Sequence, residues 1–147
     1  MRVVFLALSL FMLTVQPSFA DMPFGKKTAN IGGFMKGAKA PWLKKATQDV
    51  GTNPTGWSRQ WCGRYMRSVM PNPISSNRAI DWRHYGKGLN GPKVGAVAVM
   101  PHHVGIVQSF DANSVTLVSG NHSGSAGARK VGVGRYSRSR IVAYRWP

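Results

Sequence analysis

The sequence predicts a mixed α+β protein in which short helices precede a small antiparallel sheet. In the first half of the chain, apolar residues recur at helical spacing in the segments 41–50 and 58–69. In the second half, an unbroken apolar run, Val94–Met100, is followed by runs rich in β-branched residues around a short polar loop. Helical segments followed by a group of strands are typical of the α+β class, in which the helices pack on the sheet.

Two helices are predicted in the first half. Pro41 suits the first position of a helix, and Gly51 suits the residue that ends it. Ser58 is a suitable N-cap for the second helix because turn residues precede it. Cys62 is therefore predicted in the first turn of that helix. The apolar residues that follow at helical spacing are Trp61, Tyr65, Met66 and Val69.

A third, shorter helix and four strands are predicted next. Ser75 or Ser76 can cap the helix. Val94–Met100 is apolar without alternation, which predicts a buried central strand. The three-residue loop Asp111–Asn113, with Asn113 suited to the left-handed conformation, predicts a hairpin. The remaining strands are predicted over 103–110, 115–120 and 141–146.

The first 20 residues have the features of an export signal. Arg2 precedes an apolar run over 3–15, and the segment ends in Ser18-Phe19-Ala20, which predicts cleavage after Ala20. The run is too short to span a bilayer. Removal of these 20 of the 147 residues leaves 127, enough for one domain. We therefore expect an exported protein, in the periplasm or outside the cell, with no transmembrane segment after signal removal.

The composition is strongly basic. The chain has 20 Lys and Arg against four Asp and no Glu, and its formal charge of +16 becomes +15 when Arg2 is removed. Such a surface attracts polyanions, and export favours cell-envelope polymers over nucleic acid as partners. A generic basic surface without a specific ligand is the alternative. Residues 21–40, rich in Gly and Lys, predict a flexible basic arm before a domain over 41–147.

Cys62 is the only cysteine in the chain, so it has no partner for an internal disulfide. It is a small buried hydrophobe, half of an intermolecular bridge, or a reactive group. A helix N-terminus and the nearby Arg59 and Arg64 favour the thiolate, which supports the reactive group. The position of Cys62 in the sequence supports a buried core residue and a reactive nucleophile about equally.

The hairpin predicts partners for this thiol. A loop over Asp111–Asn113 brings His103 opposite Asn121, whereas a two-residue loop would instead bring His122 there. Thiol, imidazole and amide are the groups of a cysteine hydrolase: the imidazole moves the thiol proton and the amide orients the imidazole. We therefore predict Cys62 as nucleophile, His103 as base and Asn121 as the orienting residue. The backbone N–H of Cys62 and the amide of Gln60 are predicted to hold the oxyanion.

Several short motifs follow the cysteine helix in a fixed order: Pro92-Lys93-Val94-Gly95, His103-Val104-Gly105-Ile106-Val107, Ser119-Gly120-Asn121-His122-Ser123 and Tyr144-Arg145-Trp146-Pro147. In the order and spacing of this set, the sequence over about 41–147 resembles the CHAP amidases, which are cysteine, histidine-dependent amidohydrolases and peptidases of the NlpC-like, papain-like superfamily. The resemblance implies a papain-like fold, peptidoglycan as the substrate class, and the same roles for Cys62, His103 and Asn121.

The sequence departs from the family pattern at three positions. His102 replaces the glycine that usually precedes the histidine, which makes His102 an alternative base. Ala96 replaces an acidic residue that often follows the strand's opening glycine. Gln60 stands two residues before the cysteine rather than next to it.

Two other readings compete with the hydrolase. A catalytic zinc site of His102, His103 and His122 would need a carboxylate as base, and the chain has no Glu. His102 and His103 are also adjacent on a strand, so their side chains point to opposite faces. We therefore expect no metal and no cofactor. The second reading is a non-catalytic, basic exported domain that binds anionic envelope polymers. It predicts a buried, unreactive thiol. In either case we expect a monomer with no specific nucleic-acid partner.

Overall fold

An antiparallel sheet of six strands, in the order β1-β6-β2-β3-β4-β5, is the centre of the structure. This computed structural model describes residues 40–123 and 129–147. The predicted signal peptide and almost all of the predicted basic arm lie outside them. The strands are β1 Lys87–Leu89, β2 Val97–Val99, β3 Val104–Phe110, β4 Ser114–Ser123, β5 Arg129–Ser137 and β6 Ala143–Trp146. The helices are α1 Pro41–Gln48, α2 Cys62–Val69 and the 3-10 turns Ala79–His84 and Arg138–Arg140. The predicted α+β class is confirmed.

The first helix begins at Pro41 as predicted, but it ends at Gln48, with Asp49 as its C-cap, rather than at Gly51. Pro41 occupies the first turn of α1, and the helix buries Leu43 and Ala46 against the core. Gly51 follows with a φ of 89°, a conformation that glycine adopts without strain, and the chain turns there toward α2.

The second helix begins three residues later than a Ser58 cap requires, so that prediction is wrong. Trp61 is the N-cap residue, and no side chain caps the helix. Gln60, with a φ of 52°, reverses the chain just before it. Because the Trp61 side chain is fully buried, packing rather than a hydroxyl cap determines where α2 starts. Cys62 is the first residue of the helix, in the first turn as predicted.

The third predicted helix is a 3-10 helix, Ala79–His84, with Arg78 as its N-cap. Ser76 is not the cap, but its hydroxyl supports the turn. It accepts the Arg78 N–H at 3.1 Å and donates to the Asp81 carboxylate at 2.7 Å.

The predicted central strand is confirmed but is shorter. All of Val94–Met100 is buried, and only Val97–Val99 pairs as β2, between β6 and β3. Gly95, with a φ of 87°, turns the chain just before the strand.

The hairpin has the predicted loop, Asp111–Asn113, but a different register and loop conformation. Phe110 pairs with Val115 rather than Ser114. Asn113 does not have a positive φ. The Asp111 carboxylate instead closes the loop by accepting the backbone N–H groups of Asn113 and Ser114, each at 2.8 Å.

A bulge between Val107 and Ser109 then shifts the register by one residue, so that Ile106 pairs with Val118. Beyond the bulge, the two strands are back in the register that the sequence predicted.

Both faces of the sheet carry buried residues. The helices cover one face, where Trp61 and Tyr65 pack on Gly120 so closely that a Cβ there would lie 2.6 Å from each side chain. This close approach holds the start of α2 against β4 and the neighbouring β3. The helix-covered face is formed by Val97, Val99, Val104, Ile106, Val118 and Val131, and the opposite face by Ala96, Ala98, Met100, Val107, Val115 and Leu117.

The described part of the chain contains no helix with the length and apolar character needed to cross a membrane.

Candidate active site

The Cys62 thiol lies at the start of α2 and is buried, with 5% of the residue exposed. Burial raises its pKa above the ordinary value of 9.0. Hydrogen bonds from the backbone N–H groups of Gly63, Val104 and Cys62 itself act in the opposite direction but do not offset it. The thiol is therefore protonated at neutral pH, and the predicted thiolate is wrong. Arg64 does not assist, since its guanidinium lies over the Trp57 ring, 4.6 Å from the ring centroid.

His103 lies immediately before β3, one residue from the Val104 amide that contacts the thiol. Its Nε2 is 2.8 Å from the Ser119 hydroxyl oxygen. Burial, followed by the positive charges of His122 and Arg140, lowers the pKa of His103 to about 4. The imidazole is therefore neutral at neutral pH.

The predicted hydrogen bond between His103 and Asn121 is absent, and Ser119 takes that place. In β4 the register shifts between Ser119 and His122, and Asn121 in this bulge has a φ of 58°. The bulge turns the Asn121 side chain away from His103. The sequence contains a signal for Ser119, because it is the residue diagonal to His103 in the predicted register and within reach of a long side chain.

Tyr136 on β5 completes this region. Its ring centroid is 5.7 Å from that of His103. Burial raises the pKa of Tyr136, a hydrogen bond with Ser119 lowers it, and the charge of a Cys62 thiolate would raise it. The His103 imidazole thus lies with Ser119 and Tyr136 on the sheet face of Leu117, whereas Cys62 packs on the helix-covered face. No hydrogen bond joins the thiol to this imidazole, so the predicted contact between the two side chains is not observed. Sequence reasoning missed Tyr136, whose position depends on the pairing of β5 with β4.

A cleft of about 730 Å³ opens above the thiol. His102, which is exposed, lines this cleft, and His103 does not. Gln60 and Asn121 also line it, so the structure brings both predicted amides to the same cleft as Cys62. The buried Oδ1 of Asn121 has no hydrogen-bond partner among the described residues. The other lining residues are Trp57, Arg59, Asn77, Arg78, Ala79, Ile80 and Pro101.

Gln60 and Asn121 share a further property. They are two of the three described residues other than glycine with a positive φ, and they flank the thiol from the start of α2 and from the β4 bulge. Such backbone conformations are disfavoured, most of all for Gln, and they cluster at functional sites. The cleft thus combines a thiol at a helix N-terminus, the His102 imidazole and two residues with amide side chains.

Within residues 40–123 and 129–147, no three side chains of His, Cys, Asp or Glu lie close enough together to share a metal ion.

Comparison with protein-family models, curated proteins and solved structures finds no match to this chain. The chemistry of the described residues therefore carries any functional assignment.

Proposed function

We propose that the protein is an exported thiol hydrolase of the CHAP type, with a papain-like arrangement of helix and sheet, which cleaves an amide or peptide bond in bacterial peptidoglycan. One observation carries the proposal. The Cys62 thiol lies at the start of α2, receives a hydrogen bond from the Val104 backbone, and lines an open cleft together with His102 and Gln60. A thiol at a helix N-terminus with an imidazole in the same cleft is suited to covalent acyl-transfer catalysis.

The protonation states determine how the reaction begins. Thiol and imidazole are both neutral at rest, because burial raises the pKa of Cys62 and lowers that of His103. His103 therefore acts as a general base during attack rather than as half of a preformed ion pair. The Ser119 hydroxyl lies 2.8 Å from Nε2 of His103 and orients that ring, while His102, which lines the cleft with Cys62, is the alternative base.

The remaining steps follow from acyl transfer. Sγ attacks the carbonyl carbon, and the N–H groups at the start of α2, with the Gln60 amide, stabilise the oxyanion. The His103 imidazolium donates its proton to the leaving amine, and a thioester to Cys62 remains. Water, deprotonated by His103, then hydrolyses the thioester and regenerates the thiol.

The experiment is the release of new amino groups from purified peptidoglycan by the protein that begins at Asp21. Cys62→Ala should abolish release and leave wall binding intact, since the basic surface is unchanged. His103→Ala should reduce release far more than His102→Ala. A larger effect of the His102 change would make His102 the base.

The non-catalytic envelope-binding domain is the second candidate, and the raised pKa of Cys62 favours it. In that case Cys62→Ala would bind peptidoglycan as well as the unmodified protein, and neither would release amino groups. Equal, measurable release by the two proteins would show that the thiol is not the nucleophile and would refute the proposed mechanism.

A further inference from the structure

A second cavity adjoins the thiol cleft. It has a volume of about 450 Å³ and shares Arg59, Gln60 and Asn121 with the cleft. Its other lining residues are Ser58 and Arg129. Two arginines therefore line a cavity that adjoins the space above Cys62.

These guanidinium groups are not neutralised by the protein around them. In the described part of the chain, the two ion pairs are Lys45 with Asp49 and Arg135 with Asp111. Asp81 accepts a hydrogen bond from a serine hydroxyl. The chain has no Glu, and its one remaining Asp lies before residue 40. Positive charge lining a cleft without a counter-charge raises the local concentration of anions.

The donors and acceptors of the cavity define the ligand more closely. A guanidinium group presents paired N–H donors that match a carboxylate. The complementary group is therefore a free carboxylate, which an amino-acid unit of the substrate can supply.

We propose that the cavity between Arg59 and Arg129 binds a free carboxylate of the substrate, so that the enzyme selects a bond next to an amino-acid residue with an unmodified carboxyl group. This inference rests on the proposed hydrolase function.

The test uses synthetic stem peptides that differ at a single group. One peptide has free carboxylates at the residue next to the scissile bond, a second has the side-chain carboxyl converted to the carboxamide, and a third has the C-terminal carboxyl amidated. We expect kcat/KM to fall at least about tenfold for one of the two amidated peptides, as for the loss of a charge-assisted hydrogen bond. The peptide that is affected identifies which carboxylate is bound.

Variants separate a specific pocket from general charge. Arg59→Gln and Arg129→Gln should each reduce the preference for the carboxylate peptide toward unity. Lys87→Gln removes one positive charge as well, from β1 at the opposite edge of the sheet from Arg129 in β5, and should keep the full preference. Equal rates for all three peptides with the unmodified protein, or an equal loss of preference in Lys87→Gln, would overturn the proposal.

Binding to the Cys62→Ala protein, measured by calorimetry, distinguishes failure of this proposal from failure of the hydrolase. Tight carboxylate binding that depends on Arg59 and Arg129, without hydrolysis by the unmodified protein, would support the pocket and refute the enzyme. Hydrolysis of all three peptides at the same rate and affinity would support the enzyme and refute the pocket.

Discussion

The protonation of His103 links the stability of the protein to pH. Its pKa is lowered from 6.5 to about 4, first by burial and then by the charges of His122 and Arg140. Between these two values the unfolded chain binds a proton at this residue and the folded chain does not. The free energy of unfolding is therefore highest above pH 6.5 and falls as the pH drops from 6.5 toward 4. Each pH unit in this window is worth about 1.4 kcal/mol, so the total loss is about 3 kcal/mol.

Urea unfolding of the unmodified protein and of His103→Gln, from about pH 7.5 to about pH 4, measures this contribution. Glutamine keeps a polar side chain near Ser119 but does not titrate. Other titrating groups contribute to both proteins, so the difference between the two curves isolates His103. The unmodified protein should lose about 3 kcal/mol more than the variant. Parallel curves would show that the imidazole is not shielded from water and would refute the reasoning.

A second variant keeps this prediction testable if His103→Gln does not fold. His122→Asn removes one of the positive charges that lower the pKa of His103. The NMR titration of the His103 ring should then have a midpoint above that of the unmodified protein, which we expect at about pH 4. A midpoint near 6.5 in the unmodified protein would contradict the structure.

Three further predictions concern the thiol, the packing of α2 and the surface charge. Since burial raises the pKa of Cys62, iodoacetamide should alkylate the folded protein slowly at neutral pH and faster only above about pH 9, and a rate midpoint below about 8.5 would contradict this. Gly63→Ala would place a methyl group 2.6 Å from the Asn77 carbonyl carbon, so thermal denaturation should show a loss of about 1 to 3 kcal/mol, whereas Gly91→Ala, with its nearest neighbour at 3.9 Å, should change little. Binding to an anionic wall preparation should weaken steeply with salt, because the attraction is screened over about 10 Å at 0.1 M, and salt-insensitive binding would indicate uncharged contacts instead.

The parts of the fold that follow from local sequence were predictable. Pro41 marks the start of α1, and the unbroken apolar run Val94–Met100 marks a strand buried in the middle of the sheet. The position of Cys62 in the first turn of α2 also followed, because the apolar residues after it recur at helical spacing.

The partner of His103 was not predictable from the same signals. A bulge between Val107 and Ser109 offsets the one-residue difference at the loop, and a second irregularity between Ser119 and His122 turns Asn121 away. Each one-residue slip moves side chains to the other face of a strand. The first bulge has no marker in the local sequence, whereas Asn121, with a φ of 58°, is a residue type that tolerates the backbone of the second.

The protonation of the thiol was wrong for a different reason. The helix N-terminus acts in the predicted direction, since the N–H groups of Gly63 and Cys62 lower the pKa. Burial acts against them and is the larger effect. Sequence spacing shows which face of a helix is apolar but not how completely the rest of the fold covers one atom.

Burial also gives a physical reason why a single free cysteine can persist in the exported setting that we propose. The thiolate, not the thiol, reacts with oxidants and disulfides, and reactivity also requires exposure. Cys62 is only 5% exposed, and its pKa is raised, so the resting protein presents very little thiolate at its surface. In the reaction that we propose, the base removes the proton only when a carbonyl group lies next to the sulfur. A thiol activated in this way would be protected from oxidation by the same burial that raises its pKa.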